Sequence, residues 1–258
     1  MKITALKKSK NKLIFLLEGT TSAYVNTLRR LILAEVPTMA IEDIEFRQND
    51  SVLYDEMLAL RLGLLPLKTD LKMYNLPEEC SCKGVGCAKC QLKMVLKAEG
   101  PKTVYAKDIK STDPKIVPVY PDTPLVKLLA HQKIEFEATA VLGHGRIHSK
   151  WSPGLAGFRS LPIITAGKDA NKDLIKNNSK VLSITGNKIK IIDHLKYNGA
   201  LEQDLEENGF TVDYSDTDFI FTFESWGQLK AATVFNSAMV EYEKVLKLTQ
   251  KIIKQATK

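Results

Sequence analysis

The sequence predicts an α+β protein on three observations. Each end of the chain reads as a strand followed by a helix, with apolar residues at helical spacing after residues 12–19 and again after 219–223. The middle carries short runs that alternate apolar and polar in the period of a strand, separated by turn-rich and Pro-rich chain. The last segment, from Gln228 to Ala256, contains neither Gly nor Pro, so nothing in it interrupts a helix.

The N-terminal elements follow from local chemistry. In residues 12–19, Leu13, Phe15 and Leu17 fall on one side and Ile14 and Leu16 on the other, the pattern of a strand covered on both faces. Thr20, Thr21 and Ser22 are suited to cap the helix that follows, and Val25, Leu28, Leu31 and Ile32 form its apolar stripe. The dipeptide Val36-Pro37 ends it, because the residue before proline is driven out of the helical region. Arg29 and Arg30 lie at the margin of that stripe.

A strand over 40–46 leads to a helix over 54–62, in which Met57, Leu58, Leu62 and Leu65 share a face and Pro66 sets the limit. Strands are expected over 92–99, paired across the intervening cysteine loop, and over 134–142, with Pro-rich connecting chain at 114–124. Residues 143–162 are rich in glycine and read as an ordered loop, and 168–180 as a polar linker. Strand character at 181–192 around a Gly186-Asn187 turn, and a short acidic helix at 195–208, suggest a small further unit.

The final segment steps by three and four through Ala232, Phe235, Met239, Tyr242, Leu246, Thr249, Ile253 and Ala256, a heptad seam. At ~1.5 Å per residue the helix reaches roughly 40 Å, more than a small domain of its own chain covers. A partner helix is one cover for this stripe and the chain's own sheet is the other.

Composition narrows the function. The chain has 258 residues, 44% of them apolar, enough for one large or two smaller cores. Lys and Arg exceed Asp and Glu by 37 to 30, a surplus of +7 that leans only mildly toward acidic partners or nucleic acid. There is no apolar run of the ~20 residues that cross a bilayer, and the basic start at 1–12 lacks the apolar core of a secretion signal, so a cytoplasmic protein is expected, or a nuclear one in a eukaryote.

All four cysteines, Cys80, Cys82, Cys87 and Cys90, fall within eleven residues. A disulfide framework would scatter them. Four thiolates on one loop, with Gly84 and Gly86 to let both pairs turn inward, suit tetrahedral Zn²⁺ in a structural role, since no coordination position is left for water or substrate. An iron–sulfur cluster or a metal-free set of redox thiols could use the same residues. His144 and His148 stand four apart but lack a third ligand, and fit a surface loop better than a second metal pair. No nucleophile elbow, phosphate loop or dinucleotide fingerprint occurs, and Asp213, Asp216 and Asp218 fit a solvated turn better than a magnesium site, so no catalytic residue is assigned.

Three further motifs carry a resemblance. Asn26-Thr27-Leu28-Arg29-Arg30 followed by Pro37, then Arg61-Leu62-Gly63-Leu64-Leu65-Pro66-Leu67, and later His148-Ser149-Lys150-Trp151-Ser152-Pro153, together with the four-cysteine loop, resemble the alpha family of RNA polymerase subunits. The similarity is greatest to the archaeal members of the D type, which are related to the third-largest subunit of eukaryotic RNA polymerase II. It implies a dimerisation domain built from 1–38 and 216–258, an inserted mainly-β domain over 39–165 that holds the cysteine loop 80–90, and a small third unit over 166–215. It also implies a non-catalytic assembly subunit of DNA-directed RNA polymerase, a nucleotidyltransferase. Such a subunit pairs with a small alpha-like chain of the L type and gathers the large catalytic subunits and small assembly subunits, meeting DNA only through the complex.

On this resemblance the partner interface takes in Arg29, Arg30, Lys150, Trp151, Phe235, Met239, Tyr242, Leu246 and Ile253, with Trp151 packing its own loop as the alternative. Archaeal relatives often carry an iron–sulfur domain in the third unit; residues 166–215 here contain no cysteine, and no cluster is expected there. The competing function is an independent zinc-containing nucleic-acid-binding protein, which the charge surplus favours and the lack of a basic run interleaved with aromatics opposes.

Overall fold

The computed structural model describes residues 1–185 and 188–256. In chain order its elements are β1 (Lys2–Lys8), β2 (Lys12–Glu18), α1 (Ser22–Ala34), β3 (Thr38–Asn49), α2 (Asp55–Gly63), β4 (Gln91–Glu99), β5 (Lys102–Tyr105), β6 (Lys110–Ser111), β7 (Pro124–Leu128) and β8 (Lys133–Gly143). There follow β9 (Gly154–Ala166), α3 (Asp173–Asn177), β10 (Leu182–Thr185), β11 (Lys188–Ile191), α4 (Gly199–Glu207), β12 (Phe210–Ser225) and α5 (Ala231–Ala256). The protein is α+β with antiparallel sheets, as its patterning predicts. The chain divides into two compact units, residues 1–27 with 157–222 and residues 28–156 with 223–258.

The first unit is organised by a sheet in the order β1-β2-β12-β9-β11-β10. Adjacent β2 and β12 bring together segments some 200 positions apart. Phe15 stacks on Phe221 with ring centroids 5.0 Å apart, the Gly19 N–H donates to Asp218 Oδ1 at 2.9 Å, and the Thr20 N–H donates to the Thr217 carbonyl. Gly19 has a φ of +67°, a left-handed turn that glycine adopts without steric cost. A second core of this unit gathers Ile164, Ile175, Leu182, Leu205 and Phe210.

The second unit holds a four-stranded sheet in the order β3-β8-β4-β6 and the β5-β7 ribbon. Its core contains Met39, Leu58, Leu62, Met94, Phe136 and Ala138. Helix α2 begins with Asp55 and Glu56 and ends with Arg61, charges placed to suit the helix dipole. Strand β3 lies at the edge of its sheet and is broken by irregularities between Ile41 and Asp43 and between Phe46 and Gln48.

Several expectations are corrected. Strand β4 pairs with β8, not across the cysteine loop with β3, because β8 buries residues along most of its length and takes the position flanked on both sides. Residues 154–166 are a strand and not part of a loop: a Cβ at Gly154 would stand 2.1 Å from the Glu224 carbonyl oxygen, so glycine there permits close backbone approach. The polar stretch at 168–180 contains the short helix α3, held by the buried Ile175. Strands β5 and β7 carried no signal long enough to read. The Gly186-Asn187 turn lies outside the described residues.

Helix α5 resolves the two covers left open for its stripe in an uneven way. Ala231, Val234 and Ala238 are buried, one position away from the seam. Along the seam Phe235, Met239 and Tyr242 are half-buried, Ala232 and Thr249 exposed, and Leu246 and Ile253 are 46% and 56% exposed. The chain itself therefore covers only the start of the helix.

Gly154→Val tests the assignment of β9. Forcing a branched side chain against the Glu224 backbone should cost at least about 1–3 kcal/mol, read as a lower urea midpoint; an unchanged midpoint would refute the close approach.

Candidate metal centre and its surroundings

The cysteine loop is two tight turns set against the start of β4. In the first, the Lys83 N–H donates to the Cys80 carbonyl at 2.9 Å and the Val85 N–H to the Cys82 carbonyl at 3.2 Å. In the second, the N–H groups of Cys90 and Gln91 both donate to the Cys87 carbonyl at 3.0 Å. Gly84 and Gly86 have φ values of +83° and +101°, which a residue with a side chain rarely adopts. Because β4 begins at Gln91, the last thiol is fixed to the sheet.

The turns aim all four sulfurs at one point. Cys80 Sγ lies 3.6 Å from Cys87 Sγ, Cys82 Sγ 3.5 Å from Cys90 Sγ, and Cys87 Sγ 3.8 Å from Cys90 Sγ. All four are within 4.8 Å of one another. These separations are too long for a disulfide, at ~2.05 Å, and close to the ~3.8 Å edge of a tetrahedron with metal–sulfur bonds of ~2.3 Å. The donor set thus fits a metal ion. The electrostatics are uneven: the Gly86 backbone amide holds the Cys82 thiol down at about 6, while burial pushes Cys90 up to about 12. The Cys87 N–H donates to Cys90 Sγ at 3.3 Å, a contact that stabilises a thiolate there.

The His148–Pro153 segment is engaged within its own unit. His148 Nδ1 accepts from the Lys150 N–H at 3.1 Å, and the His144 Nδ1–H donates to the Glu35 carbonyl at 3.0 Å, so each ring serves the backbone. Lys150 Nζ donates to the Ile41 carbonyl at 3.0 Å, forms an ion pair with Glu42 and sits 4.5 Å from the centre of the Trp151 ring. Trp151 is 5% exposed; its indole N–H donates to the Val141 carbonyl at 3.3 Å and its ring occupies the space that a Cβ on Gly143 would fill. Trp151 is thus packed against the end of β8. Arg29 is half-buried and Arg30 exposed on α1.

Glu42 and Gly143 escaped the sequence reading. Glu42 meets Lys150 across 108 positions, and no local pattern marks that pairing. The Gly143 seat for Trp151 is visible only once β8 is placed.

The RNA polymerase Rpb3/RpoA insert domain matches residues 42–155, the stretch that contains the cysteine loop and the Trp151 seat. A DNA-directed RNA polymerase subunit Rpo3 of Methanosarcina acetivorans is 41% identical over 249 residues, spanning 93% of this chain and 94% of that protein. The chain belongs to the Rpo3 family. Subunits of the same name from Methanosarcina mazei and Archaeoglobus fulgidus are 38% and 33% identical, over at least nine-tenths of both chains in each pair. These relatives are archaeal and carry the name Rpo3 in place of the D designation that the motifs suggested. Family membership agrees with the α+β fold and its inserted β domain.

Truncating Trp151 to Ala should cost the isolated chain about 3–5 kcal/mol, the range for removing a buried aromatic, measured by denaturant unfolding. A chain of unchanged stability would return Trp151 to the surface role.

Proposed function

We propose that this chain is the non-catalytic assembly subunit of an archaeal multisubunit DNA-directed RNA polymerase. The observation that carries the reading is the exposed apolar stripe of α5. Val245, Leu246, Leu248, Ile252 and Ile253 face solvent on a helix interrupted by neither Gly nor Pro. Burying such surface is favourable by roughly 25 cal/mol per Å², so a chain that leaves it exposed gains by pairing. A small alpha-like subunit of the L type is the partner that this reading assigns, with Phe235, Met239, Tyr242, Leu246 and Ile253 in the contact. Residues 1–38 and 216–258 then act as the dimerisation domain, 39–165 as the insert and 166–215 as a small third unit.

In this role Arg29 and Arg30 reach a large catalytic subunit, where a planar guanidinium can bridge an interface through paired hydrogen bonds. Lys150 and Trp151 brace the insert surface that the complex uses. The cysteine loop holds Zn²⁺ through Cys80, Cys82, Cys87 and Cys90, and the metal shapes the loop without entering a reaction. Among the described residues no helix is long and apolar enough to cross a membrane, in keeping with a cytoplasmic machine.

Gentle isolation of the tagged chain from its native cells should bring down two large catalytic chains and a small alpha-like one, and the complex should make templated RNA. A solitary chain with salt-dependent DNA binding would sink the proposal. The double substitution of Phe235 and Met239 by Asp places charge on the seam and should abolish the heterodimer in gel filtration, since burying an unpaired charge costs several kcal/mol; an intact dimer would exclude this helix face. Elemental analysis of the purified protein should give one zinc per chain, lost in the Cys87→Ser plus Cys90→Ser variant while the heterodimer persists. Loss of the dimer with the metal would give the loop a larger role than shaping itself.

A further inference from the structure

The turn that joins β11 to α4, within the first unit, is fastened by one arginine. Residues 193–197 leave β11 where the Ile192 N–H donates to the Val181 carbonyl at 2.8 Å. They end where Asn198 Oδ1 caps α4 by accepting from the Leu201 N–H at 3.0 Å. Between those fixed ends the Arg159 guanidinium, on β9, donates through one nitrogen to the His194 carbonyl at 3.1 Å and to the Tyr197 carbonyl at 3.3 Å. Tyr197, 2% exposed, seats its ring in the core that contains Ile164, Leu201 and Phe210. Neither the metal loop nor the α5 seam uses this turn.

His194 is the weak point of that fastening. Its Nδ1 is buried and has no hydrogen-bond partner among the described residues. Three charged groups face the ring: Arg159 from β9, Glu18 from β2 and Asp193 from its own turn. Both carboxylates are already engaged, Glu18 with Lys2 at 3.3 Å and Asp193 with Lys196 at 3.2 Å. The balance goes against the proton: burial, and after it the Arg159 charge, hold the imidazole below its ordinary range, although Asp193 and Glu18 pull the other way.

Protonation gives the ring a donor on both nitrogens. The Nδ1–H would then be a buried donor without an acceptor, and the new charge would stand near a guanidinium that is bound to the same turn. Opening the turn relieves both, because water solvates the imidazolium and its distance from Arg159 grows.

We propose that residues 193–197 are an acid-released latch: when His194 takes up a proton, the turn parts from Arg159 and unseats Tyr197 while the rest of the chain stays folded. The closed latch has its full stability above the ordinary histidine value of about 6.5 and loses it as the pH falls through the lower value of the folded ring. The device does not rest on the assembly reading.

The test follows amide hydrogen exchange of the full chain at about pH 7 and about pH 5, corrected for the intrinsic rate at each. The amides of Lys196 and Tyr197 donate to the Asp193 carbonyl. At the lower pH they should lose protection on the order of tenfold for each unit by which the folded histidine value lies under the released one, while β8 stays protected. The His194→Gln variant, polar but not titrating, should lose that pH dependence, and Arg159→Gln should expose the same amides already at the higher pH. In the unaltered chain the His194 ring, followed by NMR, should titrate over the range in which protection is lost, a readout that needs no variant to fold. The latch is overturned by an equal loss of protection in His194→Gln, by a loss that β8 shares, by unchanged protection in Arg159→Gln, or by a His194 ring that titrates like the exposed His131.

Discussion

The two-sided pairing of β8 is the constraint on which the insert depends. This strand exchanges hydrogen bonds with β3 along one edge and with β4 along the other. Pairing with β4 sets where Gln91 begins and hence where Cys90 is anchored. Pairing with β3 brings Ile41 and Glu42 within reach of Lys150, and the far end of β8 supplies Gly143 as the seat for Trp151. Metal loop and tryptophan motif are thus two readouts of one register, and a slip by one residue would turn both of them to the wrong face.

The solvent side of the same sheet is organised by charge. Arg47 on β3 faces Glu135 and Glu137 on β8, which in turn face Lys97 and Lys93 on β4. Lys97, the largest influence, holds the Glu135 carboxyl below its ordinary range, with Arg47 adding to the effect. Exposed pairs of this kind contribute little energy one by one. Alternating signs across three strands favour the observed register over its neighbours, where like charges would meet.

Much of this was legible in the sequence, and the exceptions have physical causes. Residues 12–19 and the stripe of Val25, Leu28 and Ile32 announce their elements because their periodicity is local and uninterrupted. The cysteine spacing announces a ligand set because four thiols on one loop have few other uses. Strand β9 was hidden by its glycines, and the need for Gly154 depends on the Glu224 backbone 70 positions away. Trp151 allowed both an interface anchor and packing within its own loop, and its burial depends on the missing side chain at Gly143. Sequence patterns report what a residue needs from its neighbours in the chain; they are silent on needs met by contacts at long range.

The broken course of β3 bears on the life of the subunit before assembly. A strand of twelve residues at a sheet edge is a template on which other chains can add strands and aggregate. Its irregularities at Ile41/Asp43 and Phe46/Gln48 interrupt the outward row of backbone groups, and Glu42, Asp43 and Glu45 place negative charge along it. Newly made copies are thereby discouraged from polymerising edge to edge, and the chain stays available to its rightful neighbours during the interval when its apolar helix is still bare.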